Sequence, residues 1–278
     1  MAGQLYLCAT PIGNLGDMTQ RVIECLKSVD IIAAEDTRNS RKLMTHFDIH
    51  VPMTSYHEFN KYDKADILVN DMLSGKNIAL ITDAGTPAIS DPGEVLVQKC
   101  AEAGILVTSL PGASAVITAL TLSGLSTRRF CFEGFLSQDN KERKLILEDL
   151  TEEMRTIVLY EAPHHLKATL NDLYKYLGDR KISLCRELTK KHEDVMRTTI
   201  VDAIDFYSEN EPRGEYVLVI EGKSREEKIM ERRAAFEEMS IEEHVQYYIA
   251  QGLDKKEAMK KAAKDRGISK RDVYNALV

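Results

Sequence analysis

Ile78-Ala79-Leu80-Ile81-Thr82-Asp83-Ala84-Gly85-Thr86-Pro87-Ala88-Ile89-Ser90-Asp91-Pro92-Gly93 decides how the chain is read. Its first four residues are a short apolar run, the mark of a strand buried on both faces, and the closing glycine opens a helix over 94–103. Strand, long turn and helix make one βα unit. Two glycines and two prolines let the turn present backbone amides and carbonyls at the carboxyl end of a parallel strand, where open α/β sheets collect ligands. The bare Asp-Pro-Gly turn, with no ligand, accounts for the same residues.

Outward from this unit the pattern repeats. Strands are expected at 5–9, 29–34 and 105–108, and helices at 18–28, 37–46, 61–74 and 115–122, a βα alternation that implies a mostly parallel sheet covered by helices. The alternation pauses at Ser123-Gly124-Leu125-Ser126, which sets a boundary and a first domain of 1–123. In 124–222 strands are expected at 129–133, 156–160, 182–187, 195–201 and 215–221, with helices at 141–150, 163–177 and 202–207; two adjacent strands without a helix between them predict a mixed sheet. From 223 to 278 the chain reads as charged helices. Ser240-x-x-Glu243, Asp254-x-x-Glu257 and Ser269-x-x-Asp272 resemble capping boxes, Gly252 and Gly267 stand where helices end, and the proportions are those of a helix-turn-helix.

With 278 residues, 44% hydrophobic and 29% charged, the composition is that of a soluble globular protein. No apolar run approaches the roughly 20 residues of a membrane span, and the amino-terminal residues lack a signal peptide's basic and apolar regions, so a cytoplasmic protein without a membrane partner is expected. Five cysteines in no C-x-x-C spacing argue against a disulfide framework and against a zinc site; no metal is expected. The net charge of −7 divides into +4 over 251–278 and −11 over the other 250 residues. Such a chain disfavours indiscriminate nucleic-acid binding and suits contact with a polyanion at a chosen place.

The first loop, Gly13-x-x-Gly16-Asp17 after a strand, with Glu35-Asp36 closing the next, has a superficial dinucleotide-binding look. It lacks the G-x-G-x-x-G spacing, and Pro11 removes an amide a pyrophosphate would use. A set of ordered motifs says more. Thr10-Pro11-Ile12-Gly13-Asn14-Leu15-Gly16-Asp17, Ala34-Glu35-Asp36-Thr37-Arg38, residues 82–93, Pro111-Gly112-Ala113-Ser114-Ala115, Tyr160-Glu161-Ala162-Pro163-His164, Arg186-Glu187-Leu188-Thr189-Lys190 and Gly214-Glu215-Tyr216 occur in that order. Together they resemble the ribosomal RNA small subunit methyltransferase I family, within the tetrapyrrole-methylase superfamily, over about residues 3–222; the helical tail resembles that family's carboxyl-terminal piece.

The resemblance implies two α/β domains with S-adenosyl-L-methionine in the cleft between them, plus the small all-helical tail. The implied reaction is methylation of the 2′-hydroxyl of a cytidine in 16S ribosomal RNA within the small ribosomal subunit, by a homodimer. Carried over motif by motif, the cofactor contacts fall at Pro11, Asp83, Gly85, Ile89, Ser114, Ala115, Tyr160, Leu188 and Gly214 or Glu215. Tetrapyrrole-synthesis relatives carry G-x-G-x-G-D where this chain has Gly13-Asn14-Leu15-Gly16-Asp17, a departure that leaves open which atoms of the first loop touch the cofactor and which face the substrate. A methyltransferase of the same fold acting on a tetrapyrrole or another small molecule is the alternative, and the basic tail and the Arg/Lys clusters stand against it.

Methyl transfer to a hydroxyl needs alignment, exclusion of water and a general base within hydrogen-bond reach, and no metal. Glu187 is the first candidate base and Asp36 the second, with Glu35 and His192 nearby; an ion pair of Glu187 with Arg186 or Lys190 is the plainer reading. Arg38, Arg41, Lys42 and Lys190 are candidate RNA contacts, since loop RNA is held by its phosphates and stacked bases. His164 and His165 read as a helix start.

Overall fold

The computed structural model describes residues 2–236 and 239–277. In chain order Leu5–Cys8 (β1), Gln20–Ser28 (α1), Ile31–Ala34 (β2), Thr37–His46 (α2), Met53–Ser55 (β3), Lys61–Leu73 (α3), Ile78–Ile81 (β4), Gly93–Glu102 (α4) and Val107–Leu110 (β5) build a parallel sheet in the order β3-β2-β4-β1-β5. Alternate residues of the central strands face opposite ways. Leu5, Leu7, Ile78 and Leu80 pack with Leu68 and Met72 of α3 and Leu96 of α4. Cys8, Ala79 and Ile81 pack with Val22 and Leu26 of α1 and Met44 of α2. All four residues of β4 are buried, which is why that stretch reads as an unbroken apolar run.

Ala115–Leu122 (α5) follows, then Phe130–Phe135 (β6), Asn140–Leu150 (α6), Thr156–Glu161 (β7), Leu166–Leu177 (α7), Lys181–Arg186 (β8), Asp194–Thr199 (β9), Ile200–Glu209 (α8) and Tyr216–Ile220 (β10). The second sheet has the order β6-β7-β10-β8-β9. It is mixed, as expected: β6 and β7 are parallel and the other pairs antiparallel. Helices α6, α7 and α8 cover one face through Leu147, Leu170, Leu173 and Ala203. The other face is covered by α5, whose Val116, Ala119 and Leu120 pack on Val158, Cys185, Val217 and Val219. Burying such a side chain is worth about 1.5–3 kcal/mol, so α5 ties the strand ends of the first sheet to the second.

Several details differ from expectation: α7 starts at Leu166 rather than at 163, and Ile200 and Val201, expected to end a strand, open α8 behind the Thr199 cap. A 3₁₀ turn at Leu15–Asp17 delays α1, which Thr19 caps. Strand β3 appears on the sheet edge, paired with β2. Strand β5 lies two residues later than 105–108, because Ile105 donates its amide to the Cys100 carbonyl at 2.9 Å to close α4.

The tail holds Arg225–Ala235 (α9), Ile241–Ala250 (α10), Lys255–Arg266 (α11) and Lys270–Asn275 (α12). Ser240–Glu243 and Ser269–Asp272 are reciprocal capping boxes, joined by Ser224–Glu227 ahead of α9, while Asp254 caps α11 in one direction only. Gly267 ends α11 at φ 66°, in the left-handed region glycine tolerates. Among the described residues no helix is long and apolar enough to cross a membrane.

Candidate active site

The carboxyl ends of β1 and β4 are stitched together. The Thr10 amide donates to the Gly85 carbonyl at 2.9 Å, and the Gly85 amide donates to the Thr10 carbonyl at 3.1 Å. Beyond Gly85 the loop turns through Ala88 and Ser90, both at positive φ (66° and 62°). The Asp91 carboxylate holds that shape by accepting from the amides of Ala88 (2.9 Å), Gly93 (2.7 Å) and Ile89 (3.3 Å). Burial pushes the Asp91 carboxyl above the usual range, against those three bonds.

The second domain closes onto these loops at two points. A Cβ on Gly13 would strike the Lys190 side chain and come within 3.1 Å of the Leu188 carbonyl; one on Gly134, in the β6 bulge, would lie 2.9 Å from Ser90 Oγ. Between the two contacts lies a cavity of about 250 Å³ lined by Ile12, Ala84, Ala115, Phe135, Tyr160, Glu161, Cys185, Glu187, Leu188, Lys190, Glu215 and Val217. The lining is largely apolar, with three carboxylates along it. Glu161 is buried and accepts from the Ala162 amide at 2.7 Å and from the Thr169 hydroxyl. Glu187 Oε1 accepts from Lys190 Nζ (2.8 Å) and from the Glu215 amide (3.0 Å), and Lys190 also reaches Glu215 Oε2 (2.9 Å). The Lys190 ammonium, seconded by the Glu215 amide, holds the Glu187 carboxyl below the usual range. An apolar slot able to take a flat ring, beside carboxylates that suit cationic groups, fits a ligand carrying both.

A second cavity of about 380 Å³ opens on the other side of the β4 turn, lined by Pro11, Gly13, Leu15, Asn39, Lys42, Leu43, His46, Thr82 and Asp83. Asp83 Oδ1 accepts from the Asp36 amide and Oδ2 from Asn39 Nδ2, both at a long 3.3 Å. Desolvation and the neighbouring Glu35 carboxylate raise the Asp83 carboxyl, against the Asn39 bond. Glu35 itself accepts from the Thr82 hydroxyl at 2.6 Å. Asp36 is committed elsewhere: it caps α2 by accepting from the Arg38 amide (2.8 Å) and pairs with the Arg38 guanidinium (2.9 Å), which pulls its carboxyl down to about 2.

The structure thus brings Ala115, Tyr160, Leu188, Glu215, Glu187 and Lys190 to the first cavity and Pro11, Asp83 and Lys42 to the second. Gly85 sits in the bridge between the two loops, Ser114 is the half-buried N-cap of α5, Gly214 lies against Glu187, and Ile89 is exposed at the loop's outer edge. Arg38 and His192 are exposed, and Arg41 lines a separate hollow with Thr37 and His50. His164 and His165 stand at the start of α7. Sequence reasoning passed over Glu161, Cys185 and Phe135 as site residues; of these only Glu161 lay inside a quoted motif, and the others carry no local signal.

A parallel sheet and a mixed sheet meeting over a ligand-sized cleft define the class: the family model of the tetrapyrrole (corrin/porphyrin) methylases matches residues 4–204. Solved structures agree in fold. The uroporphyrin-III-C-methyltransferase of Thermus thermophilus superposes with a TM-score of 0.56 over 78% of this chain and 94% of that one, at 17% identity. Diphthine synthase gives 0.60 over 79% and 90%, at 13% identity. Closer in sequence, the ribosomal RNA small subunit methyltransferase I of Bacillus subtilis is 50% identical over 274 residues, which are 99% of this chain and 94% of the relative. That of Synechocystis is 49% identical over 273 residues, 98% and 96%. The chain belongs to the ribosomal RNA small subunit methyltransferase I family.

Proposed function

We propose that the protein is an S-adenosyl-L-methionine-dependent methyltransferase that modifies the ribose 2′-hydroxyl of a cytidine in 16S ribosomal RNA, working as a cytoplasmic homodimer on the small ribosomal subunit. The observation that carries the reading is the interdomain cavity at which Ala115, Tyr160, Leu188 and Glu215 converge. Support for the RNA substrate comes from the relatives, whose names state it.

The cavity suits the cofactor by its chemistry: Tyr160, Leu188, Ala115 and Val217 offer an apolar slot for an adenine, and Glu161, Glu187 and Glu215 lie within the same lining as acceptors for its ammonium and ribose hydroxyls. When bound, S-adenosyl-L-methionine supplies a methyl group on a sulfonium. The chain's own residues orient the acceptor, exclude water and take a proton. Arg38, Arg41 and Lys42 on α2 are the proposed RNA contacts, Lys42 in the wall of the second cavity and the two arginines on the exposed surface of the same helix, with Lys190 acting beside Glu187. We also propose 1–123, 124–222 and 223–278 as the working units.

The test is transfer of labelled methyl to small subunits lacking the modification, followed by nuclease digestion and mass spectrometry. The expected product is 2′-O-methylcytidine. Saturable cofactor binding without transfer to RNA would overturn the reading in favour of a small-molecule acceptor.

A further inference from the structure

Two cavities flank a single turn. Ala84 lines one and its neighbour Asp83 lines the other, so the walls of the two cavities meet at consecutive residues of the β4 turn, whose Cα atoms are about 3.8 Å apart. Glu187, in the first cavity, has its Oε1 taken by two donors, one of them a lysine ammonium, and a carboxylate so held is a weak proton acceptor. Asp36 is paired with Arg38. Asp83 differs from both: its two bonds are long, it has no cationic partner among the described residues, and it stands open to solvent in the cleft.

We propose that the second cavity receives the extruded target nucleoside and that Asp83 takes the proton from its ribose 2′-hydroxyl. The inference rests on the function proposed above and names the acceptor side of that same site. At about 380 Å³ the cavity falls in the size range of small-molecule sites, and a nucleotide must leave its stack to reach such a pocket. Lys42, exposed on α2 and without an ion-pair partner among the described residues, is placed for the flanking phosphate. The step balances: the hydroxyl proton goes to the Asp83 carboxylate, the oxygen forms the new bond to the methyl carbon, and the carbon–sulfur pair leaves with sulfur as a neutral thioether. Binding of the nucleoside covers Asp83, and loss of water together with the neighbouring Glu35 strengthens its hold on the proton.

The experiment compares wild type, Asp83→Asn and Asn39→Ala in single-turnover methyl transfer to unmodified small subunits across pH, with S-adenosylhomocysteine binding followed by calorimetry and folding by thermal unfolding. For Asp83→Asn the rate is expected to fall about 100-fold or more, as for loss of a general base, with KM for subunits and S-adenosylhomocysteine affinity within about threefold. The charged groups around Asp83 are Glu35 and Asp36 at the end of β2 and Arg38, Lys42 and His46 on α2. The acid limb of the wild-type profile is assigned among them by its disappearance in Asp83→Asn and its shift to higher pH in Asn39→Ala, which keeps the carboxylate and removes a donor. A purely structural role would move neither limb. Asp83→Asn at more than a third of the wild-type rate overturns the assignment, as does a parallel loss of S-adenosylhomocysteine binding, which would place Asp83 on the cofactor. Wild type that binds S-adenosylhomocysteine and methylates no subunits brings down the function and the assignment together.

Discussion

Gly214 and Glu187 show how tightly single residues are fixed at the cleft. Gly214 stands at φ 76°, and a Cβ there would lie 2.7 Å from Glu187 Oε1. The carboxylate has nowhere to go, since Lys190 and the Glu215 amide hold it. Gly214→Ala should cost at least the ~1–2 kcal/mol of a left-handed L-residue, read by urea unfolding, and should weaken S-adenosylhomocysteine binding; wild-type stability would show that the loop shifts freely. The same ion pair gives Glu187 a pH signature. Its carboxyl lies below the ordinary value of 4.5, so its contribution to stability is full above that pH and fades as pH falls through the lowered folded value. Wild type should therefore lose more stability between pH 5 and pH 3 than Glu187→Gln does, by no more than about 1 kcal/mol because solvent screens the pair. Parallel acid-unfolding curves would count against it.

At the scale of elements, the loop from Asp83 to Gly93 depends on one side chain. Ala88 and Ser90 keep their positive φ because Asp91 gathers three amides beneath them, while the Tyr56 hydroxyl donates to the Pro92 carbonyl at 2.9 Å. Removing the acceptor in Asp91→Ala orphans those amides and should destabilise by ~1–3 kcal/mol, with the loop becoming the first point of proteolytic cleavage; unchanged cleavage kinetics would show the prolines suffice. Much of this element was legible in the sequence, because its strand, glycines and prolines act locally: β4, α2 and α5 fall on their expected residues. Elements defined by distant partners were not. Met53–Ser55 is too short for any period and is a strand only by pairing with β2, and β5 takes its register from β1. Helix α5 belongs by order to the first sheet and by packing to the second, through Val116, Ala119 and Leu120. The ordered motifs named residues of both cavities, yet that Asp83 and Ala84 face different ones follows only from how the two domains close.

Charge organises the molecule as a whole. The body carries −11 and 251–278 carries +4, and the tail's carboxylates are largely occupied: Asp254 and Asp272 cap helices, and the buried Asp265 accepts from the Tyr248 hydroxyl. Lys256, Lys260 and Lys264 recur every fourth residue on α11, all exposed, while Ala258, Ala262 and Asp265 face the tail's core. The tail is anchored through Lys223, which bonds Glu152 at 2.5 Å and Glu231, just after the end of β10. Strand β10 begins at the cleft, where Tyr216 pairs with Glu161, and ends opposite Ile157, roughly 14 Å away at the strand rise of about 3.4 Å. The tail thus joins the body at the end of β10 away from the cleft and packs on a core of its own, and on the proposed function its lysine stripe grips phosphates away from the target. Replacing Lys256, Lys260 and Lys264 together by Ala should raise KM for small subunits and leave kcat and S-adenosylhomocysteine affinity unchanged. The plot of log affinity against log salt should flatten by about 2–3 units, since each of the three lost phosphate contacts removes roughly 0.7–0.9. An unaltered slope with a weakened dimer in sedimentation would instead assign the stripe to the acidic body of a second copy.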